Sequence, residues 1–206
     1  WLIKKLFMNE KLKIQLEKKI RVIPNFPKKG ILFQDITSIT DDQKLFKKVV
    51  TKLKEYSIKN NITKIAGIEA RGFIFGSAAA IQSNLPFIPI RKKGKLPGKI
   101  YKQKYKLEYG IDEIEVHKNA ANKKDKILII DDLIATGGTA IAAASLMKKF
   151  NPREIQFHFI INLNNLNGMK KLQTRFKSSS FLNCLGWLET IIYSSIEKTQ
   201  HYFWFL

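Results

Sequence analysis

The stretch ILIIDDLIATGGTA, at Ile127 to Ala140, decides the fold of this chain. Four apolar residues predict a buried strand, and two adjacent carboxylates, Asp131 and Asp132, follow at its end. A short loop rich in Gly and Thr comes next, and an Ala-rich helical segment follows that loop. Backbone N–H groups in such a loop and the positive end of a helix dipole attract anions, so the sequence predicts a phosphate site here.

The paired carboxylates limit which anion can bind beside them. A bare phosphate would be repelled by Asp131 and Asp132, so the ligand should also carry hydroxyl groups or a metal ion. A sugar phosphate with free ribose hydroxyls and bound Mg²⁺ meets both requirements. The alternative is a plain strand–turn–helix connection whose acids cap the helix, but that alternative explains only one acid and one Gly.

The same block resembles the signature of the type I phosphoribosyltransferases, which bind 5-phosphoribosyl-1-pyrophosphate (PRPP). The resemblance implies that Asp131 and Asp132 hold the ribose hydroxyls and help to stabilise a cationic ribosyl transition state. It also implies that Mg²⁺ arrives with PRPP and has no direct protein ligand. The 5′-phosphate would be held by the loop that follows, which comprises Ala135, Thr136, Gly137, Gly138 and Thr139.

A second strand–loop–helix junction, GIEARGFIFG at Gly67 to Gly76, resembles the pyrophosphate loop of the adenine-using branch of this family. The planar guanidinium of Arg71 suits a pyrophosphate oxygen, and we expect Arg71 to take part in catalysis. The resemblance also implies a non-proline cis peptide in this loop. The alternative is that Arg71 forms only a surface salt bridge at the start of a helix.

The segment RKKGKLPG, at Arg91 to Gly98, followed by YKLEYG, resembles the mobile hood of the same family. Lys92 and Lys95 would neutralise the charge of the leaving pyrophosphate. Glu108 matches the acid/base carboxylate that manages a proton on the purine, and Tyr109 would cover the site. Such cover excludes the water that could otherwise hydrolyse a ribosyl cation. The alternative for Glu108 is an exposed loop carboxylate.

The segment IPNFPKKGILFQDIT, at Ile23 to Thr37, resembles the adenine-binding segment of that branch. Phe33 would stack on the purine ring, because an aromatic face suits a flat heterocycle. The main chain of Leu32 and Gln34 would read the purine edge, a pattern that favours a 6-amino over a 6-oxo purine. The alternative is that Phe33 is an ordinary core residue.

Apolar runs that alternate between strand and helix periods predict an α/β fold, a mostly parallel central sheet flanked by helices with a mobile hood loop. Residues 91–122 show little periodicity, and we expect a long lid or binding loop there. The predicted helices span residues 9–20, 42–59, 73–82 and about 138–150. The predicted strands span residues 31–33, 64–68, 87–90, 127–130 and 155–161.

At 206 residues the chain suits one domain with a proper core. No apolar run of about 20 residues predicts a membrane span, and the single cysteine, Cys184, suits a reducing cytoplasm. Met8 suits a natural start, so residues 1–8 are interpreted as a non-native or disordered extension. The phosphoribosyltransferase domain is assigned to residues 9–172.

The formal net charge of +20 invites a nucleic-acid interpretation. Only five of the 37 basic residues are arginines, and the lysines are spread along the whole chain. That distribution favours a solvated lysine-rich surface, so we expect no nucleic-acid partner and no membrane partner. The three histidines show no metal-ligand spacing. The five arginines are Arg21, Arg71, Arg91, Arg153 and Arg175.

The chain departs from the family pattern at Gln34, Lys29 and Asn162, where the family usually has Arg, Pro and an acid. Its largest departure is the tail at 173–206, which holds two of the three tryptophans and the only cysteine. We interpret this tail as out-of-frame sequence, which would leave the sheet without its last strand. A genuine helical or dimer-swapped extension is the alternative.

Taken together, the resemblance implies conversion of adenine and PRPP to AMP and pyrophosphate, with Mg²⁺ and in a homodimer. Three alternatives stay open. The first is a phosphoribosyltransferase for a 6-oxopurine or orotate. The second is a PRPP-sensing regulator, although about 20 residues before Ile23 are too few for a complete DNA-binding domain. The third is a pseudoenzyme with an intact site on a chain that no longer folds.

Overall fold

The computed structural model describes residues 2–26, 29, 32–107 and 110–184. The helices are α1 (Leu2–Lys19), α2 (Thr37–Thr40), α3 (Gln43–Lys59), α4 (Arg71–Ser83), α5 (Gly138–Lys148) and α6 (Gly168–Gln173). The strands are β1 (Arg21–Pro24), β2 (Leu32–Asp35), β3 (Lys64–Ile68), β4 (Phe87–Lys92), β5 (Ile100–Leu107), β6 (Gly110–His117), β7 (Lys126–Ile134), β8 (Glu154–Leu163) and β9 (Lys177–Cys184). Within this part of the chain, no helix combines the length and the apolar character needed to cross a membrane.

Seven strands form one sheet in the order β5-β6-β4-β3-β7-β8-β9. The five strands from β4 to β9 in that order run parallel, and the hairpin β5–β6 joins antiparallel at the β4 edge. Strands β1 and β2 form a separate antiparallel pair. The predicted α/β fold with a mostly parallel central sheet is therefore confirmed.

The central strand β7 divides the core into two layers. Its side chains alternate between faces, so Ile127 and Ile129 pack with α5 whereas Leu128 and Ile130 pack with α1, α3 and α4. Helix α3 begins at an N-cap, because the Asp42 side chain accepts a hydrogen bond from the Leu45 N–H at 3.0 Å. Burial of β7 side chains on both faces fixes this strand in the sheet interior and positions the loop that follows it.

The prediction of a long loop over residues 91–122 is wrong, because β5 and β6, with eight residues each, form an antiparallel hairpin there. The sequence does contain a period of two: Tyr101 and Tyr105 alternate with lysines. The many charges concealed this pattern. Tyr105 is buried, and β6 pairs antiparallel with β4, so the described part of the hood hairpin is an extension of the sheet.

The expectation that the sheet lacks its last strand is also wrong. β9 pairs parallel with β8 over the register from Gln156↔Lys177 to Leu163↔Cys184. Its Leu182 side chain is buried in the same core layer as α1 and α3. The run of serines at the start of β9 weakened the strand signal in the sequence. The folded sheet thus extends past residue 172, and residues 185–206 lie outside the described part of the chain.

Two boundaries differ from the predicted ones in ways that matter for the site. Strand β7 continues through both carboxylates, with Asp131 paired to Phe159, so the carboxylates lie within the strand and not at its end. Helix α1 begins at Leu2 and includes the backbone of residues 2–8. The assignment of those residues as a non-native extension stays a prediction.

Candidate active site

A polar cavity of about 260 Å³ opens at the carboxyl ends of β3 and β7. Ligands of parallel α/β sheets bind at this edge, because the loops that follow neighbouring strands meet there. The cavity is lined by Ile68, Glu69, Ala70, Arg71, Lys92, Asp131, Asp132, Phe159 and the whole run from Leu133 to Ala140. The two motifs that the sequence singles out, at 67–76 and 127–140, therefore form one site.

The phosphate loop, residues 135–139, connects β7 to the N-terminus of α5. Gly137 adopts the left-handed conformation with φ of 82°, which a residue with a side chain rarely adopts. Its carbonyl accepts the first helical hydrogen bond, from Ile141 N–H at 2.9 Å. No acidic side chain lies in the first turn of α5. The free N–H groups and the helix dipole thus leave this end of α5 favourable to a phosphate.

The two carboxylates beside the loop are electrostatically strained. The Asp132 N–H donates to Asp131 Oδ1 at 2.9 Å, and Asp132 is buried. Asp131 is partly exposed as a residue, but burial of its carboxyl group raises its pKa, and the charge of Asp132 raises it further. Burial also raises the pKa of Asp132, although the charge of Arg71 acts in the opposite direction.

Arg71 is the cation that faces this pair. Its Nε atom lies 2.9 Å from Asp132 Oδ2, yet that oxygen accepts no well-aligned hydrogen bond. The guanidinium carbon also lies 5.4 Å from the centroid of the Phe33 ring. Arg71 therefore links the carboxylate pair to the aromatic residue predicted to bind a purine, and it is not a simple surface salt bridge.

Gly72 allows the two motifs to pack closely. A Cβ atom at this position would lie 2.6 Å from the Ile130 carbonyl oxygen and 2.9 Å from Asp131 Oδ1. Any larger residue would push helix α4 away from β7 and from the carboxylates. The peptide between Glu69 and Ala70 is a non-proline cis bond, as the family resemblance implies.

Glu69 is a site residue that the sequence reasoning missed. Its carboxylate accepts hydrogen bonds from Arg91 Nε at 3.2 Å, from Arg91 Nη2 at 3.1 Å and from the Lys92 N–H at 2.9 Å. The hydrogen bonds from Arg91 are the largest cause of its lowered pKa. Glu69 fixes the end of β4, from which the Lys92 side chain enters the site.

Lys92 and Lys95, the two lysines predicted to bind pyrophosphate, lie in different surroundings. Lys92 lines the cavity and contacts Asp112 Oδ2 and the Tyr105 hydroxyl. Burial tends to lower the pKa of Lys92, but its hydrogen bonds to Asp112 and Tyr105 outweigh burial and raise it. Lys95 is not among the residues that line the cavity, and its backbone N–H is held by Glu115 at 2.8 Å.

The predicted purine segment lies on the β1–β2 hairpin. Leu32 and Gln34 are in register with Pro24 and Val22. These two residues and Phe33, which are predicted to bind the purine, are half-buried. The Phe33 ring packs edge-to-face against Phe26, with 5.1 Å between ring centroids. This hairpin reaches the cavity through the contact between Phe33 and Arg71.

Glu108 and Tyr109 lie outside the described residues. The hairpin arms that flank them are described, and Leu107 pairs with Gly110 across the gap. A Cβ atom on Gly138 would lie 3.4 Å from the Lys106 carbonyl oxygen. The end of the hood hairpin is therefore adjacent to the start of α5 and to the phosphate loop.

Gly168 is a second residue that the sequence reasoning missed. A Cβ atom at Gly168 would lie 2.2 Å from the Ala135 carbonyl oxygen and 2.6 Å from the Gly137 nitrogen. Its own N–H donates to that carbonyl at 3.1 Å. Asn167, before it, is left-handed with φ of 56°. The Asn–Gly pair was a sequence signal for a tight turn, but it did not reveal which segment the turn contacts.

Comparison with known proteins agrees with this geometry. A family model described as a phosphoribosyl transferase domain matches residues 35–187. The adenine phosphoribosyltransferase of Helicobacter pylori is 47% identical over 179 residues, which are 86% of this chain and 100% of that protein. Among solved structures, the adenine phosphoribosyltransferase of Rhodothermus marinus superposes with a TM-score of 0.79 at 39% identity, covering 85% of this chain and 99% of that one.

The Saccharomyces cerevisiae adenine phosphoribosyltransferase, solved with an imino-altritol bisphosphate and adenine, gives a TM-score of 0.79 at 36% identity, covering 84% of this chain and 99% of that one. The chain is thus a member of the phosphoribosyltransferase family. Within that family it belongs to the adenine phosphoribosyltransferases, because its relatives at 47% and 36–39% identity are of this kind over nearly their whole length.

Replacing Gly168 with Ala should weaken binding of ribose 5-phosphate roughly tenfold, or about 1.4 kcal/mol. The backbone of Gly168 lies outside the left-handed region, so Ala is tolerated conformationally and the effect comes from displacing Ala135. Isothermal titration calorimetry measures the affinity. Asn167→Gly is the matched control, because it keeps the turn and adds no atom near the loop. Equal affinities for Gly168→Ala and the wild type would show that the loop does not need this contact.

Proposed function

We propose that this chain transfers the phosphoribosyl group of PRPP to adenine and releases AMP and pyrophosphate, a purine-salvage reaction. The observation that carries the proposal is the position of Arg71 between Asp132 and Phe33. It brings the ribose-binding carboxylates and the purine-binding aromatic ring to one site beside a phosphate loop. We place the reaction in the cytoplasm, where Cys184 would stay reduced, and cell fractionation would check this location.

The residues at the site suit a magnesium-bound sugar phosphate. The carboxyl groups of Asp131 and Asp132 are buried together and have raised pKa values. Their charged forms are therefore stabilised when ribose hydroxyls or a nearby cation compensate their charge. When bound with PRPP, Mg²⁺ would neutralise pyrophosphate charge and make it a better leaving group. The phosphate loop would hold the 5′-phosphate through backbone N–H groups, and the carboxylates would stabilise positive charge that develops on the ribosyl carbon.

The leaving pyrophosphate would be held by Arg71 and Lys92, both of which line the cavity. Lys92 is charged and already positioned by Asp112 and Tyr105, so it requires no reorganisation as the pyrophosphate separates. Lys95 stays a proposed ligand, supported by the family resemblance and not by its place in the cavity.

Adenine would stack on Phe33 and be read by the main chain of Leu32 and Gln34. The bond between the ribosyl carbon and pyrophosphate breaks, the bond to the adenine ring nitrogen forms, and the proton leaves that nitrogen for Glu108. Tyr109 would close over the reactants and exclude water. The adjacency of Lys106 to the start of α5 brings the described part of the hood hairpin beside the phosphate loop, which supports a role for this hairpin in the reaction.

The experiment that tests this function is measurement of AMP formation from adenine and PRPP with Mg²⁺, with hypoxanthine and orotate in parallel. We expect turnover with adenine alone, because a main-chain reader selects the 6-amino group. Equal turnover with hypoxanthine would overturn the assigned base. A folded protein that binds PRPP but forms no nucleotide would point to a regulator or a pseudoenzyme.

Replacing Glu108 with Ala should lower turnover by roughly 10²-fold or more, because a positioned acid or base contributes at least that factor. Affinity for PRPP should stay unchanged, because Glu108 is proposed to act on the purine. Steady-state kinetics and a PRPP titration separate the two effects. Glu10→Ala, which removes an exposed acid on α1, is the control. Full turnover in the Glu108 variant would remove this residue from the mechanism.

We also propose a homodimer that uses the outer face of α4. Ile74 and Ile81 are seven residues apart on one helix face, with exposed fractions of 40% and 83%. Contiguous apolar surface of this kind is typical of protein–protein contact sites. The same helix begins at Arg71, so a partner on this face would lie next to the site.

Replacing Ile81 with Lys should shift the protein from dimer to monomer, because the interface would have to bury a charge. Sedimentation velocity measures the change. Ile58→Lys is the matched control, since Ile58 is an isoleucine of α3 that is 63% exposed and does not belong to α4. A monomeric wild type, or an Ile81 variant that remains dimeric, would argue against this interface.

A further inference from the structure

A second electropositive cavity lies at the edge of the sheet opposite the active site. It has a volume of about 540 Å³ and forms where β8 and β9 begin. Because β7, β8 and β9 run parallel, the amino ends of β8 and β9 lie a full strand length from the carboxyl end of β7. We call this cavity the basic cleft. It is lined by Lys148, Asn151, Pro152, Arg153, Glu154, Ile155, Arg175, Phe176 and Lys177.

The arginines distinguish the basic cleft from the lysine-rich surface. Three of the five arginines in the chain pair with carboxylates: Arg21 with Asp35, Arg71 with Asp132, and Arg91 with Glu69. The side chains of the other two, Arg153 and Arg175, have no hydrogen bond or ion pair among the described residues. Both line the basic cleft. Two uncommitted guanidinium groups in a chain poor in arginine therefore face the same cavity.

The backbone holds these two arginines side by side. The Arg153 N–H donates to Asp125 O at 2.9 Å, and the Arg175 N–H donates to Leu172 O at 3.1 Å. Each arginine enters one of two adjacent parallel strands, in which Gln156 is in register with Lys177. Adjacent strands are about 4.8 Å apart, so the two loops converge on one space.

The other charges at the basic cleft do not neutralise the arginines. Glu154 is the one carboxylate in the lining, and it is engaged by Lys126 at 3.2 Å and by Gln156 at 2.7 Å. Lys148 lies over the Phe176 ring, with its Nζ atom 5.0 Å from the centroid. The cleft thus holds several like charges close together, an arrangement that favours a bound anion.

We propose that the basic cleft is a second anion-binding site for a small phosphorylated solute. A guanidinium group offers two parallel N–H donors that match phosphate oxygens, and two such groups can share one phosphate or a phosphate chain. The volume is in the range of small-ligand sites, so a ligand of nucleotide size fits. The proposal is separate from catalysis, because the cleft shares no lining residue with the active site.

The probe is inorganic pyrophosphate without Mg²⁺, and its binding is measured from amide NMR spectra of the full chain. The salt concentration is about 150 mM, which screens diffuse surface charge. We expect saturable shifts at amides 148–151, 153–155 and 174–178, in addition to any shifts at the phosphate loop. The double variant Arg153→Gln/Arg175→Gln should lose the first set, with affinity there falling roughly tenfold or more. AMP formation should be unchanged, which also reports that the variant is folded.

The matched control is Lys44→Gln/Lys47→Gln, which removes the same charge at exposed positions near the start of α3, a helix that contributes no residue to the cleft. It should retain the shifts at the basic cleft. Equal losses in both double variants would show a response to net charge and overturn the site, as would a wild type that shifts only at the phosphate loop. A single-stranded oligonucleotide is titrated in parallel. If it shifts the same amides at a lower concentration than pyrophosphate does, the cleft is a nucleic-acid site and the proposed small ligand is overturned. The single variant Arg175→Gln serves if the double variant fails to fold.

Discussion

The burial of two adjacent carboxylates on the central strand constrains the rest of the site. Asp131 and Asp132 repel one another, and burial removes the water that would otherwise stabilise their charge. Arg71 compensates only part of this, because it contacts one oxygen of Asp132 and that contact is not a well-aligned hydrogen bond. The unliganded site is therefore prepared for a ligand that brings hydroxyl donors and a cation, as a magnesium-bound ribose phosphate does.

Close backbone contacts keep this charged pair and the phosphate loop in place. Gly72 lets α4 approach the Asp131 side chain, and Gly168 lets α6 approach Ala135. Each contact joins segments that are far apart in the sequence, and each leaves no room for a Cβ atom. The geometry of the anion site thus depends on two absent side chains as much as on the residues that would touch the ligand.

Local patterns in the sequence are sufficient to predict the helices and strands that carry a strong apolar signal. The strand at 64–68 and the helix at 42–59 were predicted almost to the residue, because their burial is periodic and their ends carry clear capping or turn residues. The hood hairpin was missed because lysines fill alternate positions, and β9 was missed because serines open it. Glu69 and Gly168 could not be found this way, since their roles come from contacts with Arg91 and Ala135 across the fold.

The same limit applies to the interpretation of charge. Composition predicts that the lysines are a dispersed surface property, but it cannot show which cations already have partners. That distinction requires the structure, in which three arginines are paired and Arg153 and Arg175 are not. Helix α6 lies between the phosphate loop and the basic cleft in the sequence. Its first residue packs against the phosphate loop, and the residues that follow its end line the basic cleft. A ligand in the cleft would contact the segment that follows this helix, so one short helix connects the two anion sites along the chain although they lie at opposite edges of the sheet.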